Sequence, residues 1–196
     1  MSIFIKICGI TSTEAAIASV SAGANALGFV FAESARRLTP ARATQIVDEI
    51  PAEVERVAVF LRPTIGEIES VLDRFDADTV QADAGSLVGF DRVPVLPVIR
   101  DGHWLPPRGR LLFEGARSGV GEAADWTTAR LLARTRPLIL AGGLDQHNVS
   151  EAIRSVRPHG VDVSSGVETG PGVKSPDLIL GFIEAVREAE KAKVTP

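Results

Sequence analysis

The chain has one cysteine, Cys8, followed directly by Gly9 at the close of a run rich in β-branched residues. A thiolate there can take a proton from carbon, provided a positive group or dipole lowers the thiol pKa from its usual ~8.5. Lys6 and Thr11 flank it. The bland alternative is packing, because unpaired cysteines are among the most buried residue types and often act as small hydrophobes. Glu114 follows Leu111-Leu112-Phe113, so its carboxyl group leaves an apolar run. Partial desolvation would raise its pKa and suit it to general-acid work. Equally, it is a surface carboxylate at a loop start, paired with Arg117. Two glycine-bearing segments, Ala141-Gly142-Gly143-Leu144 and Val163-Ser164-Ser165-Gly166-Val167, have the composition of loops whose backbone N–H groups approach an anion. One glycine pair alone indicates only a tight turn, whereas two such loops at adjacent strand ends favour phosphate. Arg36 and Arg37, near Ser34, offer a guanidinium fork for a carboxylate. Two solvated arginines are the commoner arrangement, and at most one is expected to point inward.

The elements that must position these groups alternate throughout the chain. Apolar runs at 3–10, 26–31, 56–61, 79–82, 93–99, 110–114, 137–141 and 161–164 predict strands. Amphipathic stretches at 12–21, 40–49, 64–75, 125–134, 145–156 and 176–191 predict helices, the first capped by Ser12 or Thr13 and the second opening on Pro40. Pro94 and Pro97 weaken the fifth strand. Near-continuous apolar strands separated by helices indicate a parallel sheet buried on both faces. Eight such units predict an α/β fold, a compact (β/α)8 barrel in one domain spanning 1–196. Helices after strands four and five are reduced, because 84–92 and 101–109 are short or rich in Gly and Pro. The last four residues, Lys193 to Pro196, are expected to fray.

In such a barrel, function sits at the C-terminal ends of the strands and in the loops that follow. That rule collects Cys8, Arg36, Gln81, Glu114, Gly142, Gly143, Asp162, Ser164, Ser165 and Gly166 at one mouth, and adds little from strands three and five beyond Arg62 and Arg100. Hydrophobic residues make up 45% of the chain and charged ones 23%, the composition of an ordinary globular domain. A net charge of −4 argues against a nucleic-acid partner, which clustered Lys and Arg would hold. No apolar run approaches the ~20 residues that span a bilayer. The first six residues lack the layout of a signal peptide. A lone cysteine suits a reducing cytoplasm. His103, His147 and His159 are scattered without ligand spacing, so no metal is expected.

Four segments together resemble the phosphoribosylanthranilate isomerase family over essentially the whole chain. They are Lys6-Ile7-Cys8-Gly9-Ile10-Thr11, Gly28-Phe29-Val30-Phe31 followed by Ser34-Ala35-Arg36, Ala141-Gly142-Gly143-Leu144 followed by Asn148-Val149, and Val161 to Glu168. The resemblance implies a barrel enzyme of tryptophan biosynthesis, an aldose–ketose isomerase that performs an Amadori rearrangement on a small phosphorylated substrate without a cofactor. It implies Cys8 as the general base at C2′ and a strand-six carboxylate as the general acid that opens the furanose ring. Arg36 would bind the anthranilate carboxylate, Gln81 and Asp162 would line the pocket, and Gly142, Gly143 and Ser164 to Gly166 would hold the phosphate. A monomer or homodimer is expected.

The chain departs from the family pattern in three places. Glu114 stands where the family usually has Asp. Asp83 stands where the fourth strand usually ends in His, and it inherits no role. The segment 86–109 is short and poorly matched. Rival readings are another sugar-phosphate barrel enzyme and a phosphate-binding barrel without turnover. Indole-glycerol-phosphate synthase chemistry needs strand-end lysines, and beyond Lys6 the chain has only Lys174, Lys191 and Lys193, the last two in the C-terminal helix, a poverty that argues against it. A dual-substrate isomerase would need paired strand-end aspartates, one of them absent at strand one. A missing strand-six acid would favour the non-catalytic reading.

Overall fold

In the computed structural model, residues 2–100, 109–115 and 124–192 are described. The chain runs β1 (Phe4–Cys8), α1 (Thr13–Ala22), β2 (Ala26–Val30), α2 (Pro40–Val47), β3 (Glu55–Val59), α3 (Ile65–Leu72), β4 (Thr79–Asp83), β5 (Val95–Ile99), β6 (Leu111–Phe113), α4 (Trp126–Ala133), β7 (Leu138–Leu140), α5 (Val149–Val156), β8 (Gly160–Val163), β9 (Glu168–Gly170), β10 (Val173–Lys174) and α6 (Pro176–Ala192). Strands β1 to β8 form a closed parallel barrel in chain order. Closure is made where β1 pairs with β8, with Lys6 opposite Asp162 and Ile7 opposite Val163.

Local chemistry explains the helix starts. Ser12, Thr39, Thr64 and Asp125 each accept a hydrogen bond from a backbone N–H of the first helical turn, satisfying donors that have no partner inside the helix. Thr64 and Glu67 cap each other reciprocally. Ser12, rather than Thr13, is the cap of α1.

Strand alternation then sorts the side chains into two layers. Ile5 and Ile7 of β1 and Leu27 and Phe29 of β2 point outward and pack with Ile46, Ile68, Ile153, Phe182 and Ile183 of the helices. Burying each such side chain contributes about 1.5–3 kcal/mol. The barrel interior holds Cys8, Ala26, Val30, Val57 and Val59 on one side and Leu96, Val98, Leu112, Ile139 and Ala141 on the other, with Phe4 touching both sets.

Six of the eight barrel strands are shorter than the apolar runs that predict them, because the strand ends bend into loops once the parallel ladder stops, whereas β4 extends one residue past its run and β8 is shifted by one. After β4 the chain makes only a short 3-10 turn, Ala84–Leu87, which accounts for the expected thinning there. The reduced helix expected after β5, the pairing of Glu114 with Arg117 and the frayed end at 193–196 fall on residues outside those described. The β9–β10 hairpin, inserted between β8 and α6, was not expected from the sequence.

Candidate active site

The inward face of β1 carries Lys6 and Cys8, two residues apart and therefore on one side of the strand. Cys8 is opposite Gly28 of β2, and Lys6 is opposite Asp162 of β8. Lys6 is fully buried, and its Nζ donates to Asp162 Oδ1 at 2.7 Å. Burial opposes the charge on Lys6, but Asp162 and Cys8 outweigh it and raise its pKa. Burial pushes the Cys8 thiol up, Asp162 adds to that, and Lys6 and Lys174 pull it back.

A cavity of about 290 Å³ opens at the C-terminal ends of the strands, lined by Cys8, Ser34, Arg36, Gln81, Glu114, Asp162 and Ser164 among others. Six residues singled out from the sequence therefore share one wall: Cys8, Arg36, Gln81, Glu114, Asp162 and Ser164. A larger depression of about 400 Å³ lies between Phe31, Phe60 and helix α3, and takes Arg37 rather than Arg36. It contains no cysteine and no glycine loop, so the smaller cavity is the one equipped for chemistry.

Glu114 is buried at the end of β6, as a candidate acid should be, but it has company. Arg100, just beyond β5, donates to Glu114 and also to Asp83 at the end of β4, which in turn accepts from Arg62. The two carboxylates hold the Arg100 pKa up against burial, which acts the other way. Gln81 turns a buried Oε1 into this region, and among the described residues no hydrogen-bond donor meets it. A buried acceptor of that kind is available to a ligand hydroxyl.

Arg36 is held edge-on by Glu168, with Nε and Nη2 each donating at 2.8 Å to separate carboxylate oxygens. Lys174 of β10 completes the group, donating to Glu168 at 2.7 Å and to the Ser164 carbonyl at 3.0 Å. Burial disfavours the Glu168 charge, but the bonds from Arg36 and Lys174 prevail and hold its pKa down at about 2. Burial lowers the Lys174 pKa, with Glu168 acting against it. Glu168 and Lys174 were not singled out from the sequence as site residues, and Arg100 was noted only as what the end of strand five offers. The signal for Glu168 lay in its place at the end of the Val161 to Glu168 segment.

The two glycine loops follow adjacent strands, β7 and β8. Gly142 and Gly143 have φ of 89° and 63°, a region that favours glycine, and Asn148 Nδ2 ties the Gly143 carbonyl at 2.7 Å. A Cβ on Gly166 would collide with the Leu144 carbonyl, so the loops after β7 and β8 are in direct contact. Of the five residues expected to hold phosphate, Ser164 lines the cavity, whereas Gly142, Gly143, Ser165 and Gly166 sit in the loops after β7 and β8 and do not line it. Among the described residues no group of three His, Cys, Asp or Glu side chains is arranged to hold a metal ion. Among them, too, no helix is long and apolar enough to cross a membrane.

Known proteins share both this sequence and this architecture. The family model for N-(5'-phosphoribosyl)anthranilate (PRA) isomerase matches residues 5–83 and 108–185. The N-(5'-phosphoribosyl)anthranilate isomerase of Streptococcus pneumoniae (strain ATCC 700669 / Spain 23F-1) is 38% identical over 190 residues, covering 93% of this chain and 95% of that protein. The crystal structure of phosphoribosyl anthranilate isomerase from Thermotoga maritima superposes with a TM-score of 0.85 at 32% identity, covering 95% of this chain and 99% of the other. A phosphoribosyl anthranilate isomerase in complex with reduced 1-(o-carboxyphenylamino)-1-deoxyribulose 5-phosphate superposes at 0.82, also at 32% identity and with the same coverage. With the barrel, the strand-end cysteine and the paired glycine loops already in place, these matches establish that the chain belongs to the N-(5'-phosphoribosyl)anthranilate isomerase family.

Proposed function

We infer that the chain isomerises N-(5'-phosphoribosyl)anthranilate to 1-(2-carboxyphenylamino)-1-deoxyribulose 5-phosphate, an Amadori rearrangement in tryptophan biosynthesis. The observation that carries this reading is the meeting of Cys8 and Glu114, from the non-adjacent strands β1 and β6, on one cavity that Ser164 of the loop after β8 also lines. Glu114 gives a proton to the furanose ring oxygen, the C1′–O bond breaks, and the anthranilate nitrogen's lone pair forms the C1′=N bond of a Schiff base. The Cys8 thiolate then takes the C2′ proton. The electrons of that C–H bond form C1′=C2′, and those of the iminium return to nitrogen, giving an enolamine. Loss of the O2′ proton and gain of one at C1′ yield the ketone. The substrate's own nitrogen is the electron sink, so the proposal needs no cofactor.

The remaining residues bind and orient. Arg36, fixed along one edge by Glu168, presents its other edge to the anthranilate carboxylate. Gln81 accepts from a ribose hydroxyl, and Asp162 lines the floor. Gly142, Gly143, Ser164, Ser165 and Gly166 supply the phosphate site after β7 and β8, where barrels of this kind commonly place one. Arg100 is positioned to stabilise the carboxylate left on Glu114 after proton delivery. The proposed setting is a single-domain cytoplasmic enzyme, monomeric or homodimeric.

A fluorescence assay following loss of phosphoribosylanthranilate tests the reading. Turnover by the purified chain without added metal or cofactor is expected, and Glu114→Gln should lower kcat by about 10²-fold or more. Absence of turnover by the unmodified chain would leave a ligand-binding barrel in place of an enzyme. Full activity in Glu114→Gln would remove Glu114 from the acid role.

A further inference from the structure

We propose that Lys6 is a positioning residue for proton removal: its ammonium group, held by Asp162, stabilises the Cys8 thiolate. The proposal rests on the reading of Cys8 as the base. Its evidence is a buried charge that the fold alone does not explain. Lys6 has no solvent exposure, and desolvating an ammonium group is costly even with a partner. An apolar side chain would fill the same place in the barrel interior at no such cost, as Phe4 does one layer below. The ion pair with Asp162 keeps the charge but contributes little net stability.

The geometry shows what the charge faces. A Cβ built on Gly28 would lie 2.9 Å from Cys8 Sγ and 3.0 Å from Lys6 Nζ. Thiol and ammonium therefore converge on the space left by that missing side chain. Asp162 Oδ1 takes one of the three ammonium protons, which leaves others to point toward the sulfur. The charged groups facing Cys8 come from four elements: Lys6 on β1, Asp162 on β8, Lys174 on β10 and Arg36 in the loop after β2. Asp162 opposes a thiolate and Lys174 favours it, but Lys174 and Arg36 are both bonded to Glu168. Among the described residues Asp162 is the one carboxylate bonded to Lys6, and Lys6 is the foremost of the groups that offset burial.

Because the chain has a single cysteine, the ultraviolet absorbance of the thiolate titrates this one group. Asp162→Asn keeps the ammonium and removes the opposing carboxylate, so the Cys8 midpoint should fall. The double variant Lys6→Met/Asp162→Asn removes both charges without stranding a buried carboxylate, and its midpoint should rise about one pH unit or more above the unmodified protein. The acid limb of its kcat/KM profile should move by the same amount. A purely structural Lys6 would alter the unfolding midpoint and leave the thiol titration in place. A double variant that titrates at or below the unmodified pH overturns the proposal. Should the double variant fail to fold, Asp162→Asn decides alone, with an unchanged or raised midpoint as the contrary result. Cys8→Ser separates the two ideas: if it keeps full turnover, the base assignment fails even where the thiol titration has shifted as expected.

Discussion

Arg36 and Glu168 meet in a two-point ion pair at the barrel mouth, Nε to one carboxylate oxygen and Nη2 to the other, both at 2.8 Å. The pair consumes one edge of the guanidinium plane and sets the direction of the other. Glu168 also accepts from Lys174, which reaches the Ser164 carbonyl, so the carboxylate end and the phosphate end of the proposed substrate site share one support.

Glu168→Gln keeps the shape of the side chain and removes its charge. Arg36 then loses its fixed orientation, and KM for phosphoribosylanthranilate should rise about tenfold, the effect of losing roughly 1.4 kcal/mol of charge-assisted bonding. The fall in kcat should be smaller. Steady-state kinetics on the purified variant separates the two, and an unchanged KM would remove Glu168 from this role.

The same carboxylate predicts a pH dependence of stability. Its folded pKa is held down at about 2, below the ~4.3 expected in an unfolded chain. A depressed carboxylate contributes stability that is present above its unfolded pKa and is lost as pH falls toward the folded one. Urea unfolding of the unmodified protein should therefore weaken between about pH 5 and pH 2, and Glu168→Gln should show a shallower decline over that window.

Gly28→Ala places a methyl group between Cys8 Sγ and Lys6 Nζ, at 2.9 and 3.0 Å. Overpacking of a closed interior of this kind costs about 1–3 kcal/mol. Thermal unfolding should show that loss, and kcat should fall at a pH where KM is little changed, because the displaced groups serve proton transfer and not binding.

Inorganic phosphate should inhibit competitively by occupying the loops after β7 and β8. Gly142 has φ of 89°, so Gly142→Ala forces an L side chain into a region costing about 1–3 kcal/mol. That variant should weaken phosphate inhibition along with substrate affinity. Equal inhibition constants in the two proteins would place the phosphate elsewhere.

Much of this arrangement was legible in the sequence, and the reason is local. The alternation in β1 places Ile5 and Ile7 against the helices and leaves Cys8 inside, whatever the rest of the chain does. Glu114, Gln81 and Asp162 follow from the same rule at their own strand ends. What the sequence concealed depends on closure. Lys6 finds Asp162 only because β1 pairs with β8, across 156 residues of chain. Arg100 lies in the stretch with the weakest pattern, and its bonds to Asp83 and Glu114 need three adjacent strands in register. The β9–β10 hairpin has three and two residues per strand, too few to show alternation, so nothing in the sequence places Lys174 at the site.

The most direct measurement is turnover of phosphoribosylanthranilate by Cys8→Ser beside the unmodified chain, with circular dichroism to establish that both are folded. A serine hydroxyl is far harder to deprotonate than a thiol, so the variant should lose at least about 10²-fold in kcat. A folded Cys8→Ser protein that turns over at the unmodified rate would contradict the assignment of Cys8 as the base.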